Sequence, residues 1–164
     1  MNQPSIFGEI AGSMQVGDLS WNDFLQKIAK DTNQNVEQVR KLYESEKIDI
    51  ELLTYIDIIH QKYKTALLSN ASQEHISSLV KRTHLNKIFD EVLISSEIGL
   101  AKPDPAIFEH ALEKLNVKPQ EAVFIDDLQK HVNGARLLGM HAVQYQNYNQ
   151  LRTELGSILS ASND

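Results

Sequence analysis

Five mostly apolar residues, Glu121-Ala-Val-Phe-Ile125, end abruptly in two adjacent carboxylates, Asp126 and Asp127. Val123, Phe124 and Ile125 are strand formers in a near-continuous run, as expected of a strand buried on both faces. Such a strand delivers both acids to the carboxyl edge of a parallel sheet, where open α/β sheets bind their ligands. Two adjacent carboxylates raise one another's pKa unless a cation lies between them. Mg²⁺, hard and oxygen-seeking, is the usual cation. The same residues also suit a turn and a helix N-cap, and this stretch alone leaves both readings open.

Two further stretches carry chemistry. Ser69-Asn70 follows the apolar run Ala66-Leu-Leu68. A hydroxyl beside free backbone N–H groups at a helix start makes an anion site, although Ser and Asn cap helices routinely. In Gly99-Leu-Ala-Lys102-Pro-Asp-Pro105, Lys102 precedes a proline, which holds its backbone away from the helical region. From this rigid loop it could point back over the strand ends as a fixed positive charge. A solvated loop lysine is the other reading.

The elements that must position these groups are legible from periodicity. Ser20 with Asp23 reads as a capping box before a helix whose apolar face is Trp21, Phe24, Leu25 and Ile28. A second helix is expected over Val36 to Tyr43. A third is expected over Ile48 to Gln61, with Leu52, Leu53, Ile56 and Ile59 as its buried stripe. The period changes near residue 62. Strands are expected at 63–68, 91–94, 121–126 and 141–145, alternating with helices up to Arg82, from Asp104-Pro105, over Gln129 to Leu138 and over Tyr148 to Leu159. Gly139 reads as a C-cap. This alternation predicts an α/β fold with a four-stranded, mainly parallel sheet. It predicts two regions, a helical one over 1–61 and an α/β one over 62–164.

Composition narrows the class. The chain has 164 residues, 41% hydrophobic and 23% charged, which suits one globular domain with a real core, or one domain plus a small appendage. The net charge of −6 gives no electrostatic footprint for nucleic acid or an anionic membrane. There is no cysteine, which excludes thiolate catalysis, thiolate metal sites and disulfides, and fits a cytoplasmic protein. No apolar run approaches the length of a membrane span.

Ser69, Lys102 and Asp126-Asp127 fall in fixed order, each at a strand end or in the loop after it. The set resembles the haloacid dehalogenase-like (HAD) hydrolases, in the branch with a helical cap. The matching stretches are Leu67-Leu68-Ser69-Asn70, Lys102-Pro-Asp-Pro-Ala-Ile-Phe108, and Phe124-Ile-Asp126-Asp127 with Ala135 and Gly139-Met140. Gly17-Asp-Leu-Ser-Trp-Asn-Asp-Phe24 looks like a cap segment. The resemblance implies a Rossmann-like core after a partial helical cap, and a Mg²⁺-dependent phosphatase lineage acting on a small phosphorylated metabolite. It implies that Ser69, Asn70 and Lys102 bind phosphate, that Ser69 and Lys102 serve catalysis, and that Asp126 and Asp127 hold Mg²⁺. The acidic pair argues against the metal-free dehalogenases of the family.

One family motif has no match. The family's first strand ends in Asp-x-Asp, whose first Asp is the nucleophile and whose second is the general acid/base. In Ser5-Ile-Phe-Gly-Glu-Ile10 the two places are taken by Gly8 and Ile10, and glycine cannot be a nucleophile. Gly8 also lies too close to Ser69 for the usual cap to intervene. The expectation is a chain that begins inside the cap, is inactive alone, binds Mg²⁺ weakly and self-associates through strand edges. A non-catalytic binding or interaction module is the alternative. His131 could orient an acid, but a surface or capping histidine is the favoured reading, and Trp21 is expected to pack within the cap.

Overall fold

The computed structural model describes residues 19–44 and 49–161, with Arg82 described by its backbone alone. The stretches Ser5–Ile10 and Gly17-Asp18 singled out above lie outside the described residues. Helix α1 (Trp21–Thr32) starts at Ser20, whose side chain accepts the Asp23 N–H at 3.1 Å. It ends where Asn33 turns left-handed. Its apolar face packs on Val39 of α2 (Val36–Glu44), with Leu19, Val36 and Tyr43 closing the cluster. Trp21 stacks on Phe24 at 5.3 Å and meets Tyr43 edge-on, the packing role expected of it.

Helix α3 (Ile50–His60) is capped by Asp49, which accepts the Leu52 N–H. The stripe expected on it is modified. Leu52, Tyr55 and Ile59 pack on Val143, Leu151 and Leu155, but no residue of α3 is fully buried. The helix is apolar on more than one side, so Ile50 and Ile58 face solvent. Tyr145 O–H donates to Asp49 and ties the start of α3 to the end of the last strand.

Strands and helices then alternate: β1 (Ala66–Ser69), α4 (Gln73–Thr83), β2 (Glu91–Ile94), the short α5 (Ser95–Ile98), α6 (Pro105–Leu115), β3 (Val123–Asp126), α7 (Gln129–Leu137), β4 (His141–Gln144) and α8 (Tyr148–Ala161). β1 begins later than expected because Lys62 and Tyr63 N–H still bond to Ile59 C=O in the turn closing α3. β3 begins later because Pro119–Glu121 winds a 3₁₀ turn, in which the Glu121 side chain accepts the Lys118 N–H.

The sheet differs from the single four-stranded one expected. Among the described residues β1 pairs in parallel with β2, Ser69 opposite Ile94, and β3 with β4, Asp126 opposite Gln144. The two pairs form separate two-stranded sheets. The physical reason is that no described strand stands between β1 and β3 to carry the ladder across. Side chains join them instead. Ile107 and Phe108 of α6, fully buried, pack with Phe124 and Ala135, and Leu68 of β1 joins the same cluster. Phe108 and Phe124 meet edge-on at 5.1 Å.

Candidate functional site

The carboxyl ends of β1 and β3 meet at one cation. Lys102 lies in the loop between α5 and α6, and its peptide to Pro103 is cis. Its Nζ donates to Leu68 C=O at the end of β1 (2.8 Å) and to Asp126 Oδ2 at the end of β3 (2.7 Å). The ammonium also lies 5.6 Å from the centre of the Phe124 ring. The Lys102 side chain is 9% exposed and that of Asp126 is 6% exposed, so this ion pair is buried. Of the two readings open for Lys102, the solvated loop lysine does not hold.

The loop is held from two directions. Asn70, just past β1, accepts the Lys102 N–H at 2.8 Å and donates to the Lys102 C=O at 2.9 Å. On the other side α7 approaches Pro103 at Gly134. A Cβ there would lie 2.9 Å from the Pro103 carbonyl oxygen and 3.1 Å from the Phe108 ring. Gly134→Ala is therefore expected to lower stability by about 1 kcal/mol. Overpacking costs ~1–3 kcal/mol, and the helix preference of alanine over glycine returns up to ~1 kcal/mol of it. Urea unfolding would read this as a lower midpoint at constant slope. A raised midpoint would show that the loop yields freely.

Both oxygens of Asp126 are committed. Oδ2 faces Lys102, while Oδ1 accepts the Leu128 N–H and the His131 ring Nδ1–H, each at 2.9 Å. Burial works against the charge of Asp126, but the Lys102 hydrogen bond, the Leu128 amide, the lysine's charge and His131 together hold its carboxyl below the ordinary value. Asp127 is different. Its carboxylate is exposed and makes no hydrogen bond among the described residues, and only its backbone C=O is engaged, by Gln144. Ser69 ends β1, half-buried, beside Asn70.

The family follows from a sequence match. The profile of a hydrolase family, the haloacid dehalogenase-like hydrolases, matches residues 3–139. The chain belongs to that family. A glyceraldehyde 3-phosphate phosphatase of Methanopyrus kandleri is 47% identical over 64 residues, 38% of this chain and 28% of that protein. A D-ribitol-5-phosphate phosphatase of Bacteroides thetaiotaomicron is 31% identical over 122 residues, 70% of this chain and 58% of that one. This chain thus spans less than two thirds of either relative. Among solved structures, a HAD-family enzyme of Bacteroides thetaiotaomicron in complex with magnesium and inorganic phosphate superposes with a TM-score of 0.74. It is 23% identical, over 87% of this chain and 78% of that one, which speaks to the fold alone. This is the HAD α/β fold, with its short parallel strands. No helix among the described residues is long and apolar enough to cross a membrane.

In this HAD-like chain the five residues singled out from sequence share one edge but divide into different environments. Asn70 and Asp126 are linked through Lys102, Ser69 stands beside Leu68 and Asn70 at the end of β1, and Asp127 looks outward. Among the described residues no three His, Cys, Asp or Glu side chains converge as a metal cage. Asp126 accepts hydrogen bonds at both oxygens, whereas the exposed Asp127 carboxylate has none among the described residues. The sequence named His131 as able to orient an acid but favoured a surface or capping role, and the histidine is instead buried against Asp126. The signal was available, since His131 shares the inner face of α7 with Val132 and Ala135. Sequence reasoning missed Gly134, whose need is set by a loop thirty residues away in sequence.

Proposed function

We propose that this chain provides the phosphate- and cation-binding edge of a magnesium-dependent HAD phosphohydrolase acting on a small phosphate ester. The observation that carries this is the buried Lys102 ammonium at the carboxyl ends of both strand pairs. An ammonium has three donors, and two of them are used by Leu68 and Asp126. The third can meet a phosphoryl oxygen beside Ser69. Phosphoryl transfer is mostly positioning and charge neutralisation around such oxygens. Ser69 would donate its hydroxyl to the same group. Asp127, with Asp126 at most through water, would hold the magnesium, whose contribution when bound is to neutralise charge on the phosphoryl oxygens. The relatives named as phosphatases of small phosphorylated compounds support the substrate class. The helical region is proposed as part of the cap that shapes the specificity pocket, and the cysteine-free composition suits the cytoplasm.

The 164 residues contain no Asp-x-Asp. With no nucleophile of that kind, the chain alone is expected to show no turnover of a generic aryl phosphate in the presence of Mg²⁺. Turnover that survives further purification and is lost in Lys102→Ala would overturn this. Magnesium alone is expected to bind no tighter than about 1 mM, roughly 4 kcal/mol, because the described shell is partial. A micromolar site in calorimetry, lost on Asp127→Asn, would show that other groups complete it. Amide shifts on titrating inorganic phosphate test the central reading. Shifts centred on Ser69 and Lys102 are expected, and none up to tens of millimolar would sink it. The same missing motif favours a second reading, a non-catalytic binding module. An upstream in-frame strand ending in Asp-x-Asp in the coding sequence would exclude that reading.

A further inference from the structure

Resting on the reading of Lys102 above, we propose that Asn70 is the positioning residue of this site: it clamps the Lys102 backbone and does not itself hold phosphate. Both ends of its carboxamide are used on one residue. Oδ1 takes the Lys102 N–H at 2.8 Å and Nδ2 gives to the Lys102 C=O at 2.9 Å. The two partners are 32 positions apart in sequence, so the clamp fixes one loop against another strand end. A two-point amide contact sets orientation as well as distance, as bidentate pairs do. Lys102 needs that constraint. A lysine has a long flexible stem, and here its tip must satisfy Leu68 C=O and Asp126 at once. With the backbone fixed on both its polar groups, the stem alone spans the gap between β1 and β3. The Asn70 side chain orients the loop, and the Lys102 ammonium makes the contacts.

Measuring how fast each lysine is acetylated by a trace of acetic anhydride, peptide by peptide, tests this on the full chain. In the wild type Lys102 is expected to react more slowly than the exposed lysines, since its ammonium is buried and ion-paired. In Asn70→Ala its rate is expected to rise about tenfold, as two hydrogen bonds of ordinary strength are lost, while the other lysines keep theirs. Asn70→Asp retains size and the acceptor for the Lys102 N–H, but turns a carboxylate oxygen toward the Lys102 C=O. It is expected to release Lys102 as well. A thermal melt of each variant shows that the chain remains folded, and Asn70→Asp serves if Asn70→Ala does not fold. If phosphate affinity falls in both variants while Lys102 stays protected, Asn70 is a phosphate contact and the proposal is wrong. If the wild type binds no phosphate yet Lys102 is released by Asn70→Ala, the clamp stands and the functional reading falls.

Discussion

Lys102→Met is expected to cost about 3–5 kcal/mol at neutral pH, because removing one partner of a buried ion pair leaves the other charge uncompensated. Methionine keeps most of the apolar stem, so the loss isolates the charge. Asp126 would retain only the Leu128 amide and His131 as partners. The pH dependence separates this from a packing defect. In the wild type the folded pKa of Asp126 is depressed, so its contribution is complete above the unfolded value of about 3.9 and is lost as pH falls through the lower folded value. In the variant, burial is opposed by less, and the folded pKa moves upward. A raised carboxyl contributes below the unfolded pKa and loses that contribution as pH rises through the folded one. Both effects act in the same direction, and the gap between the proteins should close below about pH 4. The double variant Lys102→Met/Asp126→Asn should recover much of the loss, since an amide in place of the carboxylate leaves no buried charge. Urea unfolding of the four proteins across pH measures this. A single-variant cost under about 1 kcal/mol would mean that the pair behaves as a surface salt bridge.

The parts of the fold that follow from local sequence were readable in advance. Ser20 and Asp104 mark helix starts by their side-chain oxygens and Gly139 a helix end by its backbone freedom, and each stands where such residues belong, Gly139 with φ +82°. Strands β2 and β3 reached the expected edge because apolar runs stop at polar residues. What local pattern could not give is pairing. Alternating strands and helices predict parallel neighbours, yet whether β1 touches β3 depends on what lies between them, which no window of residues encodes. The site divides the same way. Lys102 and the acidic pair were visible as residue types at strand ends. Which acid the lysine would take was not, because both are carboxylates one residue apart. The pleat decides it, since successive side chains leave a strand end in opposite directions. Asn70 looked like a ligand-binding amide. Its engagement with Lys102 depends on a contact across 32 positions, and spacing carries no signal for that.

Produced as these 164 residues, the protein is expected to associate with itself rather than stay a stable monomer. β1 has β2 on one side and β3 has β4 on one side, and no ladder joins β1 to β3 among the described residues. On the other side of each strand, alternate backbone N–H and C=O groups have no strand partner among the described residues. Leu68 C=O is satisfied by Lys102, which shows how a single group can be answered by a side chain. The remaining groups have no such device described. A buried backbone group left unpaired costs about 1–3 kcal/mol, so several together approach the 5–15 kcal/mol that holds a small domain folded. Leu68 and Phe124 also lie in one apolar cluster, so water entering between the strands would wet core surface. Exposed edges of this kind recruit strands from neighbouring chains, and a second copy is the neighbour always present. Sedimentation across a concentration series would show a mass rising with concentration. Substituting proline at Leu67 or Ile125, whose backbone lies within the paired strands, would not discriminate, because it breaks the existing ladders. A synthetic extended peptide that ends in Asp-x-Asp is the better probe. If the open edges drive association, the peptide should bind and return the chain to a monomer. A compact, cooperatively melting monomer at every concentration, indifferent to the peptide, would refute association and place β1 and β3 in an arrangement that satisfies itself.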